Sequence, residues 1–143
     1  AQDGLILPSM EEQREQKILR VEDAMAIVDI PVTAPQLPVA DAIARMVAAG
    51  KDALLVDHRP AGWIGYTREQ LLQFSAQGKT GTPLADLPTG TLPLLHPDHT
   101  LDTALRALQN FSFLPVVHRA SPQALVGTIS VADILACYRR RST

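Results

Sequence analysis

Apolar residues recur with the period of an α-helix in two segments of the chain, one in each half. Each stripe keeps the spacing i, i+3, i+4, i+7, which places its members on one face of a helix. The first stripe comprises Val39, Ala42, Ile43, Met46 and Val47, and the second comprises Leu101, Ala104, Leu105 and Leu108. The pattern predicts two amphipathic helices that begin about 62 residues apart.

The segments around these two helices also repeat. Before each helix lies a short extended segment that contains a proline, at residues 30–33 and 92–95. After each helix come two apolar runs separated by a polar turn, which we interpret as strands. The runs are residues 53–56 and 63–66 in the first half, and residues 114–117 and 124–129 in the second half. The last run is longer than its first-half equivalent, so the register of the repeat shifts there. A helix that begins near Thr67 or Ser130 closes each half.

Each half therefore has the order β-α-β-β-α, preceded by a short helical turn near residues 20–25 or 83–87. A unit of about 55 residues would bury little apolar surface by itself. We therefore predict an α/β (α+β) fold in which two halves pack sheet to sheet with pseudo-two-fold symmetry and helices outside. We place a leader at 1–19, the first unit at 20–75, a glycine-rich linker at 76–82 and the second unit at 83–141. The charged stretch at 10–17 is typical of a solvated helix or leader.

Composition narrows the class of protein. The formal net charge of −2 gives no indication of a nucleic-acid partner, and the single cysteine, Cys137, excludes an internal disulfide. The sequence contains no apolar run near the ~20 residues of a membrane-spanning helix, and it shows no secretory leader. The chain begins at Ala1 without a methionine, which we interpret as a sign of an excised fragment or of processing.

The most specific motif is the segment GTISVAD at 127–133, in which a glycine is followed by Ser130 and then Asp133 at intervals of three. It resembles the end of a CBS motif, and FSFLPVV at 111–117 is similar to the family's run into its second strand. The resemblance to a tandem CBS pair, or Bateman module, covers residues 21–138. It implies a dimeric cytoplasmic regulatory module without a required cofactor, which in some members binds an adenine nucleotide between the two motifs.

The leader suggests a parent for such a module. Residues 3–8 (DGLILP), a charged stretch and residues 21–25 (VEDAM) together resemble the link between the membrane domain and the CBS tail of ClC chloride channels and transporters. This resemblance implies a location on the cytoplasmic side of the inner or plasma membrane, with a second copy and the membrane domain as partners. Two alternatives stay open: a ligand-free dimerisation module, and the CBS regulatory region of a metabolic enzyme.

The CBS resemblance implies a binding site for ATP, ADP or AMP. Asp133 would hold the ribose hydroxyls, with Ser130 near the sugar or the first phosphate. The adenine would rest on backbone near Lys51, Asp52 and Ala53, with Thr33 nearby. The residues by themselves also favour a structural role, because Ser-x-x-Asp at a helix start forms a capping box. The two roles are compatible, since a carboxylate has two oxygens.

The first half departs from the motif at two positions. Gln70 stands where the family has Asp, and Ile64 stands where it has Gly, although Thr67 keeps the Ser/Thr position. The pair Thr67 and Gln70 matches a capping box, so the helix start is retained while the ribose acceptor is lost. If one nucleotide site survives, we expect it to be the site that uses Asp133.

Other polar groups do not form a recognisable catalytic or metal site. Pro97 keeps His96, Asp98 and His99 from lying on one helix face, and no further metal ligand is nearby. We therefore interpret the segment as a loop in which Asp98 or Thr100 caps the next helix. Cys137 lies in an apolar helix, where a free cysteine behaves as a small hydrophobe. The GKT at 78–80 lacks the first glycine of a phosphate loop. We predict a protein that is not an enzyme, with no catalytic or metal-binding residues.

Overall fold

The computed structural model describes residues 18–121 and 124–142, except for the side chain of Ser142. The predictions for the leader at residues 3–8 and 10–17 lie outside these residues. The helices are α1 (Val21–Ala24), α2 (Val39–Ala49), α3 (Arg68–Ala76), α4 (Leu101–Ala107) and α5 (Val131–Ser142). The strands are β1 (Val32–Thr33), β2 (Ala53–His58), β3 (Gly62–Thr67), β4 (Leu114–Val117) and β5 (Leu125–Ile129). Short 3-10 turns occupy Leu84–Asp86 and Leu108–Asn110.

The two amphipathic helices form where their stripes predict, and their ends have local causes. Helix α2 stops at Gly50, which has a φ of 66° and adopts the left-handed conformation that closes a helix at little cost in glycine. Helix α4 starts at Thr100, whose side chain accepts a hydrogen bond from the Thr103 backbone N–H. The stripes are only partly buried, because Val47 is 60% exposed and Leu105 is 38% exposed.

Two small sheets follow the predicted repeat. The first has the order β1-β2-β3, with β1 parallel and β3 antiparallel to β2, and the second pairs β4 with β5 antiparallel. The extended segment predicted at residues 92–95 is reduced to a single parallel bridge between Leu95 and Val116. This bridge occupies the position of β1, since Thr33 pairs with Val56 as Leu95 pairs with Val116.

The register shift predicted in the last strand appears as a bulge. Val116 pairs with Gly127, but the next residue of β4, Val117, pairs with Leu125. Val126 is therefore left without a partner in the ladder, which is the pattern of a β-bulge. The first sheet has no such irregularity, because β2 and β3 pair residue by residue from Ala53 to His58.

The buried residues form two cores and a layer between the sheets. The first core contains Val39, Ala42, Met46, Leu54, Val56, Ile64, Tyr66, Leu71, Leu84 and Leu87. The second core contains Val21, Ala24, Leu95, Leu101, Ala104, Leu108, Leu114, Val116, Ile129, Ile134 and Cys137. The layer contains Leu55, Trp63 and Val117. Because side chains alternate along a strand, β2 faces the first core with Leu54 and Val56 and the other sheet with Leu55.

The short turns that precede each half are exchanged between the halves. Helix α1 precedes the first half but buries Val21 and Ala24 in the second core, and the 3-10 turn that precedes the second half buries Leu84 in the first. The Tyr66 hydroxyl donates to the Leu84 carbonyl at 3.0 Å, and Ala26 exchanges two backbone hydrogen bonds with Thr128. The predicted boundaries at 75 and 83 divide the chain by sequence, but in the packed structure the segment before each half belongs to the core of the other half.

Candidate ligand cleft

The corner between β5 and α5 holds the motif that the sequence singles out. The Ser130 backbone N–H donates to Asp133 Oδ2 at 2.9 Å, and the Asp133 backbone N–H donates to Ser130 Oγ at 3.2 Å. These two bonds are the capping box predicted for the start of α5. Only one oxygen of Asp133 is used in this way, so its second oxygen is available to another hydrogen-bond donor.

Ser130 and Asp133 line a cleft of about 360 Å³, which we call the Asp133 cleft. Asp52 and Ala53, from the start of β2 and the turn before it, line the same cleft. The remaining lining residues are Ala26, Asp29, Ile30, Thr67, Ser112, Phe113 and Thr128. The fold therefore brings four of the six predicted site residues together from two distant parts of the chain.

The other two predicted site residues lie outside the lining. Thr33 is only 4% exposed, and its hydroxyl donates to the Leu55 carbonyl at 3.4 Å, within the first sheet. Lys51 places its Nζ 3.0 Å from Asp29 Oδ2. Lys51 is therefore linked to the cleft by its ion pair with Asp29, whereas Thr33 stabilises the first sheet beside the cleft.

Several lining residues were not predicted from the sequence. Asp29 and Ile30 belong to the segment between α1 and β1, and Ser112 and Phe113 precede β4. They meet at the cleft because the two sheets pack face to face, which joins segments more than 80 residues apart. A register-by-register alignment of the two halves would have identified Ser112 and Phe113, because they occupy the positions of Asp52 and Ala53.

The pseudo-two-fold symmetry produces a second, much smaller cleft. It measures about 70 Å³ and is lined by Gly65, Thr67, Gln70, Leu92, Asn110, Phe111, Ser112 and Phe113. Thr67 and Gln70 form a capping box at the start of α3, with bonds of 3.2 Å and 2.9 Å, as predicted. We call this space the Gln70 cleft.

Large side chains explain why the Gln70 cleft is small. Phe113 stands where the Asp133 cleft has Ala53, because Leu114 pairs with Ile129 as Leu54 pairs with Tyr66. Phe113 and Leu92 approach so closely that a Cβ added at Gly65 would lie 3.0 Å and 2.7 Å from their side-chain carbons. Small-molecule sites generally measure about 300–1,000 Å³, so of these two equivalent clefts the Asp133 cleft is the one with the volume for a nucleoside.

The remaining polar candidates have structural partners. Asp98 forms an ion pair with Arg119 at 2.9 Å and therefore does not cap α4, a role that Thr100 takes. Cys137 is buried, with its Sγ 3.5 Å from the Asp23 carbonyl. Lys79 of the GKT segment lies over the Phe74 ring at 5.4 Å. In the described part of the chain, no three His, Cys, Asp or Glu side chains are grouped to hold a metal ion. Among the same residues, no helix is long and apolar enough to cross a membrane.

Comparison with known proteins identifies the fold. Residues 84–140, somewhat less than half of the chain, match the family described as CBS domain. Solved structures with a similar fold cover 87–88% of this chain, and together these findings define the fold as that of a tandem CBS pair. None of the curated proteins matches the chain in sequence.

Three similar structures illustrate the likeness. The CBS domain pair of protein MJ0100, in complex with 5′-methylthioadenosine and S-adenosyl-L-methionine, is 19% identical, with a TM-score of 0.69 over 87% of this chain and 99% of that one. CBSX2 from Arabidopsis thaliana is 21% identical, with a TM-score of 0.68 over 88% and 98%, and was also solved in complex with AMP. A hexameric CBS-CP12 protein from bloom-forming cyanobacteria is 20% identical, with a TM-score of 0.69 over 84% and 68%.

Proposed function

We propose that the chain is a regulatory CBS pair that binds an adenosine-containing ligand in the Asp133 cleft and has no catalytic activity of its own. The observation that carries this proposal is the convergence of Asp133, Ser130 and the start of β2 on a cleft of about 360 Å³. Two of the similar structures hold ligands of this chemical class, namely AMP in one and 5′-methylthioadenosine with S-adenosyl-L-methionine in the other.

The cleft offers complementary groups for the two parts of a nucleoside. Asp133 keeps one carboxylate oxygen outside the capping box, and a carboxylate is a strong acceptor for ribose hydroxyls. The backbone at Asp52 and Ala53, beside the apolar Ile30, provides polar and apolar contacts suited to an adenine ring. ATP, ADP and AMP are the ligands to which the sequence motif points. The adenosine moiety common to them is the part recognised by these contacts.

Regulation follows from the position of the cleft between the two halves. Asp29 and Ile30 lie on the segment that joins α1, part of the second core, to β1 in the first sheet. A ligand in contact with both this segment and α5 would favour one relative arrangement of the halves. The resulting shift in any attached protein is limited to the difference in the ligand's affinity for the two arrangements.

We propose a homodimer as the working assembly. Apolar side chains on the outer helices are exposed, notably Leu72 on α3 and Leu135 and Tyr138 on α5, at 50%, 50% and 42%. Apolar groups of this size on the outer faces are typical of interfaces between proteins.

For the parent protein, we propose the membrane domain of a ClC-type channel or transporter, on the resemblance at residues 3–8 and 21–25. Sequencing the encoded chain upstream of Ala1 tests this parent: apolar spans would support it, and a soluble enzyme would contradict it.

A ligand-free assembly module is the second candidate function. The filled Gln70 cleft favours it, because Leu92 and Phe113 show that one of the two equivalent spaces has been closed by side chains. In that case Asp133 and Ser130 would serve only as the cap of α5.

Titration calorimetry with adenosine and AMP distinguishes the two functions. In Asp133→Ala the affinity should fall about tenfold to a hundredfold, because a charged hydrogen-bond acceptor contributes roughly 1.5–3 kcal/mol. The free energy of unfolding should fall less, by about 0.5–2 kcal/mol, through loss of the cap. Gln70→Ala, the matched control in the other capping box, should leave binding unchanged. Equal affinity in wild type and Asp133→Ala would show that the site is misplaced. Absence of binding by wild type at millimolar ligand would favour the assembly module.

A further inference from the structure

Negative charge dominates the lining of the Asp133 cleft. Asp29, Asp52 and Asp133 all line it, and in the described part of the chain no Lys, Arg or His side chain is among the lining residues. The side chains of Asp29 and Asp52 are 61% and 85% exposed, so both carboxylates border the open part of the cleft. A charged group on any ligand in the cleft would therefore lie near three acidic side chains.

Two cations beside the cleft already form ion pairs with these same carboxylates. Lys51 Nζ lies 3.0 Å from Asp29 Oδ2, and Arg68 lies 3.4 Å from Asp52 Oδ1. A phosphate that recruited either cation would leave an aspartate unpaired beside its own negative charge. A phosphate and a carboxylate that share one cleft repel each other appreciably at the effective dielectric constant of a protein surface.

The helix starts at the cleft have part of their capacity to bind phosphate already used. Helices α3 and α5 both begin at the cleft, with Thr67 and Ser130 among the lining residues. Helix N-termini commonly bind phosphate through free backbone N–H groups. Here the N–H of Gln70 and the N–H of Asp133 donate to the capping hydroxyls, so each helix has one such donor fewer.

Building on the function proposed above, we infer that the Asp133 cleft selects adenosine derivatives whose 5′ substituent is neutral or positively charged, and discriminates against 5′-phosphates. A thioether or sulfonium at the 5′ position would have no repulsion from Asp29 or Asp52, and a sulfonium would be attracted to them. The selectivity comes from the acidic rim, whereas recognition of the ribose comes from Asp133. The two properties therefore depend on different side chains.

The test compares ligands that share one nucleoside. Adenosine, 5′-methylthioadenosine, AMP and ATP are titrated into wild type, with adenosine and 5′-methylthioadenosine expected to bind about tenfold more tightly than AMP, and ATP more weakly still. Raising the salt concentration should strengthen AMP binding, because screening weakens repulsion, and should leave adenosine binding unchanged. AMP binding as tight as adenosine binding, or AMP binding that weakens with salt, would overturn the inference.

Variants locate the discrimination. Asp52→Asn and Asp29→Asn each remove a rim charge and release a cation, so the affinity for AMP relative to that for adenosine should rise by roughly threefold to tenfold. Asp41→Asn, about 12 Å along α2 from its end at Ala49, is the matched control and should change neither affinity. If AMP is preferred and Asp133→Ala abolishes its binding, the proposed function stands and this inference fails. If no adenosine compound binds, both fail.

Discussion

At the residue scale, the difference between the two capping boxes separates structure from binding. Thr67 with Gln70 and Ser130 with Asp133 make the same pair of hydrogen bonds at the start of equivalent helices. An amide satisfies the helix as well as a carboxylate does, but its oxygen carries no charge for a ribose hydroxyl. Gln70 and Asp133 therefore both cap a helix, but of the two only Asp133 is suited to hold a sugar.

Single residues also determine how the fold responds to acid. The His96 backbone N–H donates to His99 Nδ1 at 3.0 Å, which requires this nitrogen to be unprotonated. The carbonyls of Pro97 and His99 in the same turn accept the N–H groups of Glu22 and Val21. The turn between His96 and His99 therefore helps to hold α1 against the second core.

We predict that stability falls as the pH is lowered from about 7 to 5, in part through His99. Burial, followed by repulsion from His96 and Arg119, lowers the pKa of His99 below its ordinary value. The folded state therefore binds a proton at His99 less readily than the unfolded chain does. The resulting stabilisation of the fold is present above the ordinary pKa of histidine, and it is lost as the pH falls through the lowered pKa of His99. Urea unfolding between pH 5 and 7 measures the effect. His99→Gln should be less stable at pH 7 but show a shallower dependence on pH. An unchanged slope would contradict the assignment.

At the element scale, close backbone approach explains the glycine in the motif at residues 127–133. A Cβ at Gly127 would lie 2.8 Å from the Ala26 carbonyl oxygen and 3.1 Å from Met25 Sδ. Ala26 is held in place by two backbone hydrogen bonds with Thr128, so it cannot retreat without losing them. The glycine therefore permits the segment after α1 to pair with β5 in the opposite half.

Replacement of Gly127 by alanine should destabilise the fold by about 1–3 kcal/mol, because the added carbon meets backbone rather than a flexible side chain. The free energy of unfolding in urea is the measurement. Gly81→Ala is the matched control, since a Cβ there would meet nothing within 4 Å, and its effect should stay within about 0.5 kcal/mol. Equal stability of the two variants would show that the approach of Ala26 is not limiting.

At the scale of the whole molecule, the exchanged turns make the two halves interdependent. Val21 and Ala24 complete the second core, whereas Leu84 and Leu87 complete the first. Neither half retains a full core without a segment from the other, so we expect the pair to unfold as one unit. Leu72, Leu135 and Tyr138 are among the apolar side chains left outside both cores, and they lie on the outer helices.

We predict that these outer faces form a homodimer. Sedimentation should give about twice the chain mass of 15.5 kDa at micromolar concentration. Leu72→Glu and Leu135→Glu should shift the population toward monomer, because each places a charge on a half-exposed apolar surface. Val126→Glu, at the β5 bulge, is the control and should remain dimeric. A wild-type monomer at high micromolar concentration would contradict the proposed assembly.

The sequence by itself determined the order of elements and the chemistry of the helix starts. Apolar residues at helical and strand spacing positioned α2, α4 and the strands, because these periods follow directly from backbone geometry. The boxes at Thr67 and Ser130 were also predictable, since their donors and acceptors lie within three residues. The CBS-pair fold, suggested by the motif at 127–133, is confirmed by the structural comparisons.

Only the tertiary structure decided which residues share the cleft and which space stays open. Asp29 and Ile30 meet Asp133 across about 100 residues of chain, and no local pattern records that contact. Likewise, the closing of the Gln70 cleft depends on Phe113 and Leu92 meeting over Gly65. Local spacing specifies the partners of a residue within one element, whereas the volume and charge of a cleft depend on how separate elements pack.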